Sequence, residues 1–233
     1  MIERIGNATL YLGDCRDIFP GLSGIDAVIS DPPYGIAHKH SGGSAASRNN
    51  LRGSYKSGRV SNADTVTGDN EPFDPTMLLT VGNVMLFGAD HFRLRLPEGG
   101  RFLAWNKIGE AEPWDSFSDV EFIWHSQGRA SRIKTYKWKG LACQKAGENN
   151  GRRDHPTQKP VGIMRWCIEQ SAAPFAGLIC DPFMGTGTTG VAAVQMGYHF
   201  IGVEIEQKYF DIACRRMEVE QRQGEMFQQQ QSV

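Results

Sequence analysis

Residues 25–35 read IDAVISDPPYG, an apolar run that ends in a carboxylate, two prolines and an aromatic ring. The run is short, β-branched and followed by a turn signal, which predicts a buried strand. Prolines fix φ and cannot continue a hydrogen-bond ladder, so they make a rigid corner at the carboxyl end of the strand. In open α/β sheets, ligands bind at that edge. The carboxylate of Asp31, the fixed carbonyls and the ring of Tyr34 suit a flat group that bears an amine, such as a nucleobase; a loop that merely ends the strand is the alternative.

A second strand-and-turn pattern consists of the apolar segment 177–180 and the sequence DPFMGTGTTG, which begins at Asp181, 150 residues after Asp31. This pattern predicts a strand, a tight glycine turn that a ligand can approach closely, and a helix through Gln195. Residues 199–203 predict the next strand, which ends at Glu204, where an acid can bind a ribose diol. The glycines also match the dinucleotide fingerprint, so an NAD enzyme is an alternative. However, Glu204 lies 14 residues past the last glycine, whereas that fingerprint places its acid about 20 residues on.

Further elements follow from apolar patterning elsewhere in the chain. The glutamine-rich tail from Gln221 is expected to fray. Residues 129–153 mix aromatic residues with cations, which fits either contact with DNA or a β-hairpin with a solvated face. Strands are predicted at 7–12, 83–87, 101–105 and 119–125, and helical segments at 17–22, 90–96 and 161–173.

The length of the chain fits one domain over residues 1–233, with ample core. No apolar run approaches the ~20 residues that span a bilayer, and the first residues do not resemble a signal peptide. The five cysteines show neither disulfide nor metal spacing, which predicts a reducing, cytoplasmic location. The six histidines also lack ligand spacing, so no metal site is predicted.

The net charge of −1 conceals two basic segments. Residues 35–63 carry five cations and no acid, and residues 129–153 carry eight cations and one acid. These segments predict a phosphate-binding face, with two solvated loops as the alternative. Residues 36–66 are also too polar to bury much surface, which predicts a mobile loop and a candidate lid. The candidate DNA-binding residues are Lys39, Arg48, Arg52, Lys56, Arg129, Arg132, Lys134, Lys137 and Lys139.

Together, the motifs between Gly13 and Tyr209 resemble the β-class S-adenosylmethionine-dependent DNA amino-methyltransferases. In that family the DPPY corner precedes the recognition region and the cofactor motifs come last, which is the order found here. The resemblance implies an α/β, Rossmann-like methyltransferase fold with a mostly parallel sheet flanked by helices and a small basic target-recognition insertion. It implies catalytic roles for Asp31, Pro32, Pro33 and Tyr34. It also implies that S-adenosylmethionine contacts Asp14, Cys15, Asp31, Thr157, Lys159, Asp181, Phe183, Gly185, Thr186, Gly187 and Glu204.

The resemblance extends to substrate and chemistry. Asp31 before the two prolines is similar to the adenine N6 enzymes, so the expected reaction is methylation of a flipped adenine in double-stranded DNA. Asp31 and the Pro32 carbonyl would accept the two amine hydrogens while Tyr34 stacks on the base. Cytosine N4 methylation is the alternative within the family, and a catalytically silent DNA-binding module is the alternative outside it.

The resemblance also implies that residues 107–154 form the target-recognition region. This region is shorter than in larger members of the family, which argues against recognition of a long DNA sequence. A homodimer and a place in restriction-modification are implied by the family, and no contact with a membrane is expected. The target sequence, the role of the host and a partner nuclease cannot be read from the residues, because base contacts depend on side-chain geometry in the grooves.

Overall fold

A computed structural model of the chain describes residues 1–35, 71–111, 118–138 and 158–231. The chain divides into two compact units, a larger one of Met1–Pro32 and Asp74–Val233 and a smaller one of Pro33–Phe73. Within the smaller unit, Gly35 has a φ of +74°, and a Cβ added there would collide with the backbone of Glu71 and Pro72. The two ends of this unit therefore meet at a position that only glycine fits. The division into a single domain with a loop and a recognition region, as predicted above, stays a prediction.

Nine strands of the larger unit, counted over the described residues, form one sheet. Its centre is parallel, with antiparallel pairing at β1 and around β6. The order across the sheet is β1-β2-β9-β8-β3-β4-β6-β5-β7. The strands are β1 (Ile2–Ile5), β2 (Ala8–Leu12), β3 (Ala27–Ser30), β4 (Val84–Phe87), β5 (Arg101–Asn106), β6 (Val120–His125), β7 (Arg132–Thr135), β8 (Leu178–Asp181) and β9 (His199–Glu204).

Four α-helices accompany these strands in the described ranges: α1 (Cys15–Ile18), α2 (Val161–Ser171), α3 (Thr188–Gln195) and α4 (Gln207–Gln231). Helix α2 starts directly after Pro160, whose extended φ and ψ suit a residue that precedes a helix. Three-residue 3-10 turns occur at Phe19–Gly21, Leu78–Thr80 and Arg93–Arg95.

The core lies where the parallel strands are covered by helices. Strands β3 and β4 are buried along their whole length, which explains their continuous apolar sequences. Helix α3 consists mainly of small residues and packs closely, because a Cβ on Gly190 would lie 2.5 Å from the ring of Phe200. The absence of a side chain at Gly190 thus lets the helix approach β9 and begin directly above the sheet edge.

The register of the strands brings their carboxyl ends together. Leu12 pairs with Glu204, Asp181 with Gly202, and Ser30 with Leu86. Because β2, β9, β8, β3 and β4 are parallel neighbours, the residues that follow them share one edge of the sheet. Strand β6 runs in the opposite direction, so its first residues lie at this same edge.

Several predicted elements differ from the structure. Residues 90–96 form only the 3-10 turn Arg93–Arg95, because Phe92 is the single buried residue of the segment and Leu94 is 92% exposed, which leaves little apolar surface for a helix to bury. The tail predicted to fray continues α4 to Gln231, since glutamine and glutamate are good helix formers. No hairpin forms over 129–138; β7 pairs in parallel with β5 instead. Strand β1, which the sequence reasoning missed, is an exposed edge strand.

Candidate active site

The glycine turn predicted after β8 is present and leads into α3. Gly185 and Gly187 have φ values of +51° and +76°, a region that disfavours other residues. A Cβ on Gly187 would lie 2.9 Å from the Cβ of Ala213 in α4, so the turn is packed on that side. At Gly185 a Cβ would meet no atom within 4 Å. The backbone at Gly185 therefore faces open space that a ligand can enter.

Asp181, the last residue of β8, is buried beneath this turn. Its carboxylate accepts hydrogen bonds from Ser30 Oγ at 2.6 Å, Thr189 Oγ1 at 2.6 Å and the Phe183 amide at 3.1 Å. Burial raises the pKa of Asp181 to about 6, although these three hydrogen bonds oppose the shift, and the nearby carboxylate of Asp31 adds to it. Asp181 thus holds the turn to two strands and a helix. Its predicted contact with a cofactor stays a prediction.

Arg216 of α4 fixes the turn from the opposite side, and the sequence reasoning missed this residue. Its Nη1 donates to the Thr186 carbonyl at 2.7 Å and lies 3.1 Å from the hydroxyls of Thr186 and Thr188. Both threonines are buried. The hydroxyls that the sequence places in the motif therefore serve, at least in part, to bind the helix that packs behind it.

Glu204 lies at the end of β9, as predicted, and its carboxylate is directed at the glycine turn. Oε1 accepts from the Glu206 amide at 2.8 Å. This amide and the nearby backbone amides of Gly185 and Ile205 act to lower the pKa of the carboxyl group. Burial nevertheless leaves the pKa of Glu204 raised. The acid is thus fixed beside the open space at Gly185, in a position suited to accept hydroxyl hydrogens from a ligand.

Asp14 and Cys15 lie on the same edge, because the Gly13 amide donates to the Glu204 carbonyl at 2.9 Å. Asp14 caps α1 and accepts from the amide of Arg16 at 2.8 Å. The guanidinium of Arg16 hydrogen-bonds to the same carboxylate, and this bond is the largest of the effects that lower the pKa of Asp14. Cys15 is buried, which raises the pKa of its thiol to about 11. Asp14 therefore caps α1, and Cys15 is a buried, uncharged residue. Their predicted contacts with the cofactor stay predictions.

Asp31 follows β3 and is held by a buried lysine. Lys159 Nζ lies 2.6 Å from Asp31 Oδ2 and 2.8 Å from Glu121 Oε1. Burial acts to lower the pKa of Lys159, but the two carboxylates outweigh it and the pKa is raised overall. Lys107 Nζ is 4.0 Å from the other oxygen of Glu121. We call these four residues the charged edge cluster.

Neither Glu121 nor Lys107 was identified from the sequence as part of a site. Glu121 is an acid near the start of the predicted strand at 119–125, where most other positions are apolar. An acid in a mostly apolar strand was the available signal. It points to the site only once β6 is known to run antiparallel to β4, because that direction puts Glu121 at the edge where β4 ends. Ser30, which ties β3 to Asp181, was likewise named only as a residue of the motif.

The remaining predicted site residues are placed as follows. Pro32 is buried at the end of the first segment of the larger unit, whereas Pro33 and Tyr34 are half-buried residues of the smaller unit. Phe183 is half-buried within the glycine turn. Thr157 lies outside the described residues.

The predicted DNA-binding cations that the structure describes are all exposed. Arg132 and Lys134 lie on the edge strand β7. Lys137 follows at the end nearer the charged edge cluster, since the next residue, Trp138, donates its amide to the Lys107 carbonyl at 3.0 Å. Arg129 precedes β7, at the opposite end of the strand. Five of the predicted cations lie outside the described residues: Lys39, Arg48, Arg52, Lys56 and Lys139.

The described residues also bear on membrane and metal sites. No helix among them is both long and apolar enough to cross a bilayer. Nor do they contain a group of three or more His, Cys, Asp or Glu side chains arranged to hold a metal ion.

Comparison with known proteins supports the resemblance seen in the sequence. Residues 123–215 match the N6_N4_Mtase family, described as DNA methylase. Type II methyltransferase M.HinfI of Haemophilus influenzae is 43% identical over 70 residues, 30% of this chain and 19% of that protein. Type II methyltransferase M2.DpnII of Streptococcus pneumoniae is 41% identical over 83 residues, 36% of this chain and 30% of that protein. The chain thus matches less than a third of the length of either curated relative.

Solved structures are similar over nearly the whole chain. The M1.HpyAVI–SAM complex has a TM-score of 0.54 at 20% identity and covers 90% of this chain and 99% of its own. The PvuII DNA methyltransferase, described as cytosine-N4-specific, has a TM-score of 0.55 at 14% identity and covers 91% of this chain and 86% of its own. At these identities the likeness concerns the fold, and the predicted Rossmann-like methyltransferase fold is confirmed.

Proposed function

We propose that this chain is a DNA adenine N6-methyltransferase that uses S-adenosylmethionine. The observation that carries the proposal is the 2.6 Å hydrogen bond between Ser30 and Asp181. It joins β3, which Asp31 follows, to β8, which ends in Asp181 before the glycine turn, although 150 residues separate these two acids in the chain. The bond supports the proposal because the residue that would accept the amine and the turn that would bind the nucleotide follow neighbouring strands, as transfer between two bound molecules requires.

The residues at this edge fit S-adenosylmethionine. The open space at Gly185 admits a ligand against the backbone, and the buried carboxylate of Glu204 beside it suits a ribose diol. Asp14 and Cys15 close the same edge on the far side of Glu204. When bound, S-adenosylmethionine supplies a methyl group on a positively charged sulfur.

Asp31 and Pro32 would act on the amine that receives the methyl group. The lone pair of an exocyclic amine is delocalised into the base, which makes it a poor nucleophile. Two acceptors, the Asp31 carboxylate and the Pro32 carbonyl, would hold the amine hydrogens and localise that lone pair. The carboxylate would also stabilise the positive charge that develops on the nitrogen as its bond to the methyl carbon forms and the carbon–sulfur bond breaks, with the electron pair of that bond going to sulfur. It would then take the proton that the nitrogen loses. Stacking of Tyr34 on the flipped base stays a prediction.

The choice of adenine rests on Asp31 standing directly before the two prolines. Double-stranded DNA is the proposed partner, and the exposed cations Arg132, Lys134 and Lys137 support it. A cytoplasmic location is part of the same proposal, and the five cysteines without disulfide spacing support it. A homodimer and a partner nuclease stay predictions.

Incubation with labelled S-adenosylmethionine and unmethylated duplex DNA, followed by analysis of the nucleosides, tests the proposal. Label in N6-methyladenine is the expected result. Label in N4-methylcytosine would replace adenine by cytosine, and binding of DNA without label would indicate a silent binding module. Calorimetric titrations with S-adenosylmethionine and with NAD test the dinucleotide alternative. Binding of S-adenosylmethionine alone would exclude an NAD enzyme, and binding of NAD alone would support one.

A further inference from the structure

The charged edge cluster is organised around the ammonium group of Lys159. Its Nζ contacts one oxygen of Asp31 and one of Glu121, and it also lies 5.3 Å from the centre of the Phe87 ring. The side chain of Lys159 is only 10% exposed. An ammonium group buried to this degree has little water to orient it, so these three neighbours define its position.

Lys159 contacts Asp31 directly, Glu121 contacts Lys159, and both residues are connected to regular elements of the fold. Glu121 lies in β6 and pairs directly with Trp105 of β5, whose indole donates to the Tyr136 carbonyl at 2.8 Å. Lys159 is followed by Pro160 and helix α2. The preceding residue, Gln158, accepts a hydrogen bond from the indole of Trp138 at 3.2 Å through its carbonyl. The ammonium group beside the Asp31 carboxylate is therefore fixed by a residue directly before α2 and by a carboxylate of the sheet.

The charges of the cluster explain why two carboxylates flank one lysine. The Asp31 carboxylate lies near that of Asp181, and the two repel each other. The positive charge of Lys159 offsets this repulsion. If Asp31 were its only carboxylate partner, the ammonium group would interact with Asp31 alone. The second carboxylate, Glu121, shares the ammonium group and is itself near Lys107. Glu121 thus limits how far the positive charge moves toward the acceptor carboxylate.

We propose that Glu121 and Lys159 are positioning residues for Asp31, an inference that rests on the proposed methyl transfer. Lys159 fixes the rotamer of the Asp31 carboxylate, and Glu121 fixes Lys159. Together they hold an ionised acceptor in the orientation that the amine needs. On this assignment Lys159 acts on the acceptor, whereas the family resemblance implies a contact with the cofactor.

The test compares Glu121→Gln, Lys159→Met and the double variant with two controls that also remove one charge. The controls are Glu98→Gln, in an exposed turn, and Arg165→Met, on the exposed side of α2. For each protein, kcat, KM for S-adenosylmethionine, the calorimetric Kd for the same cofactor and the thermal midpoint are measured. The ammonium resonances of the cofactor-free protein are also recorded by NMR, since the Lys159 signal is expected to shift in Glu121→Gln and vanish in Lys159→Met.

We expect Glu121→Gln to lower kcat by about tenfold to a hundredfold, because small displacements of a reacting group cost rates of that order. KM, Kd and the thermal midpoint should stay close to those of the Glu98→Gln control. Lys159→Met leaves two carboxylates without their cation and is expected to be unstable. The double variant removes one charge of each sign, so it should regain stability without regaining kcat.

Three results would overturn the assignment. The first is an unchanged kcat in Glu121→Gln. The second is a loss of kcat that follows a matching loss of cofactor affinity, which would make the cluster a cofactor site. The third is recovery of kcat along with stability in the double variant, which would make the cluster merely structural. Failure of the wild-type protein to methylate DNA would instead refute the proposed function, which separates the two claims.

Discussion

Ser30 donates a 2.6 Å hydrogen bond from its hydroxyl to the buried carboxylate of Asp181, and both residues are at most 2% exposed. The bond crosses from β3 to β8 at the edge where both strands end. It sets the distance between Asp31, which would bind the substrate amine, and the glycine turn after β8, which would bind the cofactor. Changes at either residue should therefore affect both sites together.

Replacing Asp31 by alanine should abolish methyl transfer while cofactor binding survives. The alanine variant lacks the acceptor that localises the lone pair of the amine, and Glu204 and the glycine turn are untouched. Asp31→Asn should also fail, because its amide presents one acceptor and one donor in place of two acceptors. Label transfer and calorimetry are the measurements. Retained methylation in either variant would refute the mechanism.

Ser30→Ala should destabilise the protein by about 1–3 kcal/mol, the usual effect of removing one partner from a buried charged group. Ser23→Ala changes the same side chain at an exposed position and is the matched control. Urea unfolding gives the free energy for each protein. Equal free energies for the two variants would show that the bond contributes nothing.

Asp181→Asn should change how stability depends on pH. The pKa of Asp181 is raised from 3.8 to about 6 in the folded protein, so the folded state binds this proton more tightly than the unfolded chain. This group therefore lowers the free energy of unfolding as pH rises from about 4 to about 6, with no further change above. The asparagine variant lacks this contribution. The free energy of unfolding of the wild-type protein should therefore fall relative to that of the asparagine variant as pH rises from about 4 to about 6. Urea unfolding at several pH values measures both free energies, and parallel pH profiles would contradict the prediction.

Gly187→Ala should cost more stability than Gly24→Ala, although both glycines have a positive φ. At Gly24 the added Cβ meets nothing within 4 Å, so only backbone strain of about 1–2 kcal/mol is expected. At Gly187 the Cβ also collides with Ala213 of α4. Urea unfolding of both variants measures the difference. Equal losses would mean that α4 moves away without cost.

Arg216→Met should raise KM for S-adenosylmethionine more than it changes kcat. The guanidinium holds the carbonyl and hydroxyl of Thr186, so its loss loosens the turn but leaves Asp31 in place. Arg222→Met, on the same helix but 70% exposed, is the control. Steady-state kinetics measure both constants, and a fall in kcat alone would assign Arg216 to another role.

Much of the site could be predicted because it is encoded locally. Asp31, Asp181 and Glu204 each follow a short apolar run, and parallel strands bring such residues to a common edge. The glycines that adopt positive φ are also visible in the sequence. What these positions share is that one short segment contains both the structural signal and the chemical group.

The charged edge cluster could not be predicted in this way. Glu121 reaches the edge only because β6 runs against its neighbours, and a strand's direction is set by its partners and not by its own residues. Lys159 was identified, but only by resemblance and with a different contact. Arg216 lies in the middle of a long polar helix, where nothing in the local pattern separates it from Arg215.

The pairing of β3 with β8 and of β2 with β9 has a consequence for synthesis of the protein on the ribosome. Strands β2 and β3 each acquire a second partner, β9 and β8 respectively, only after residues 178–204 have been made. Until then β3 presents an apolar strand with an unsatisfied edge, the kind of surface that promotes aggregation. A message truncated before this point would therefore yield an insoluble product instead of a weakened enzyme, and a host expressing it should rely on chaperones during translation.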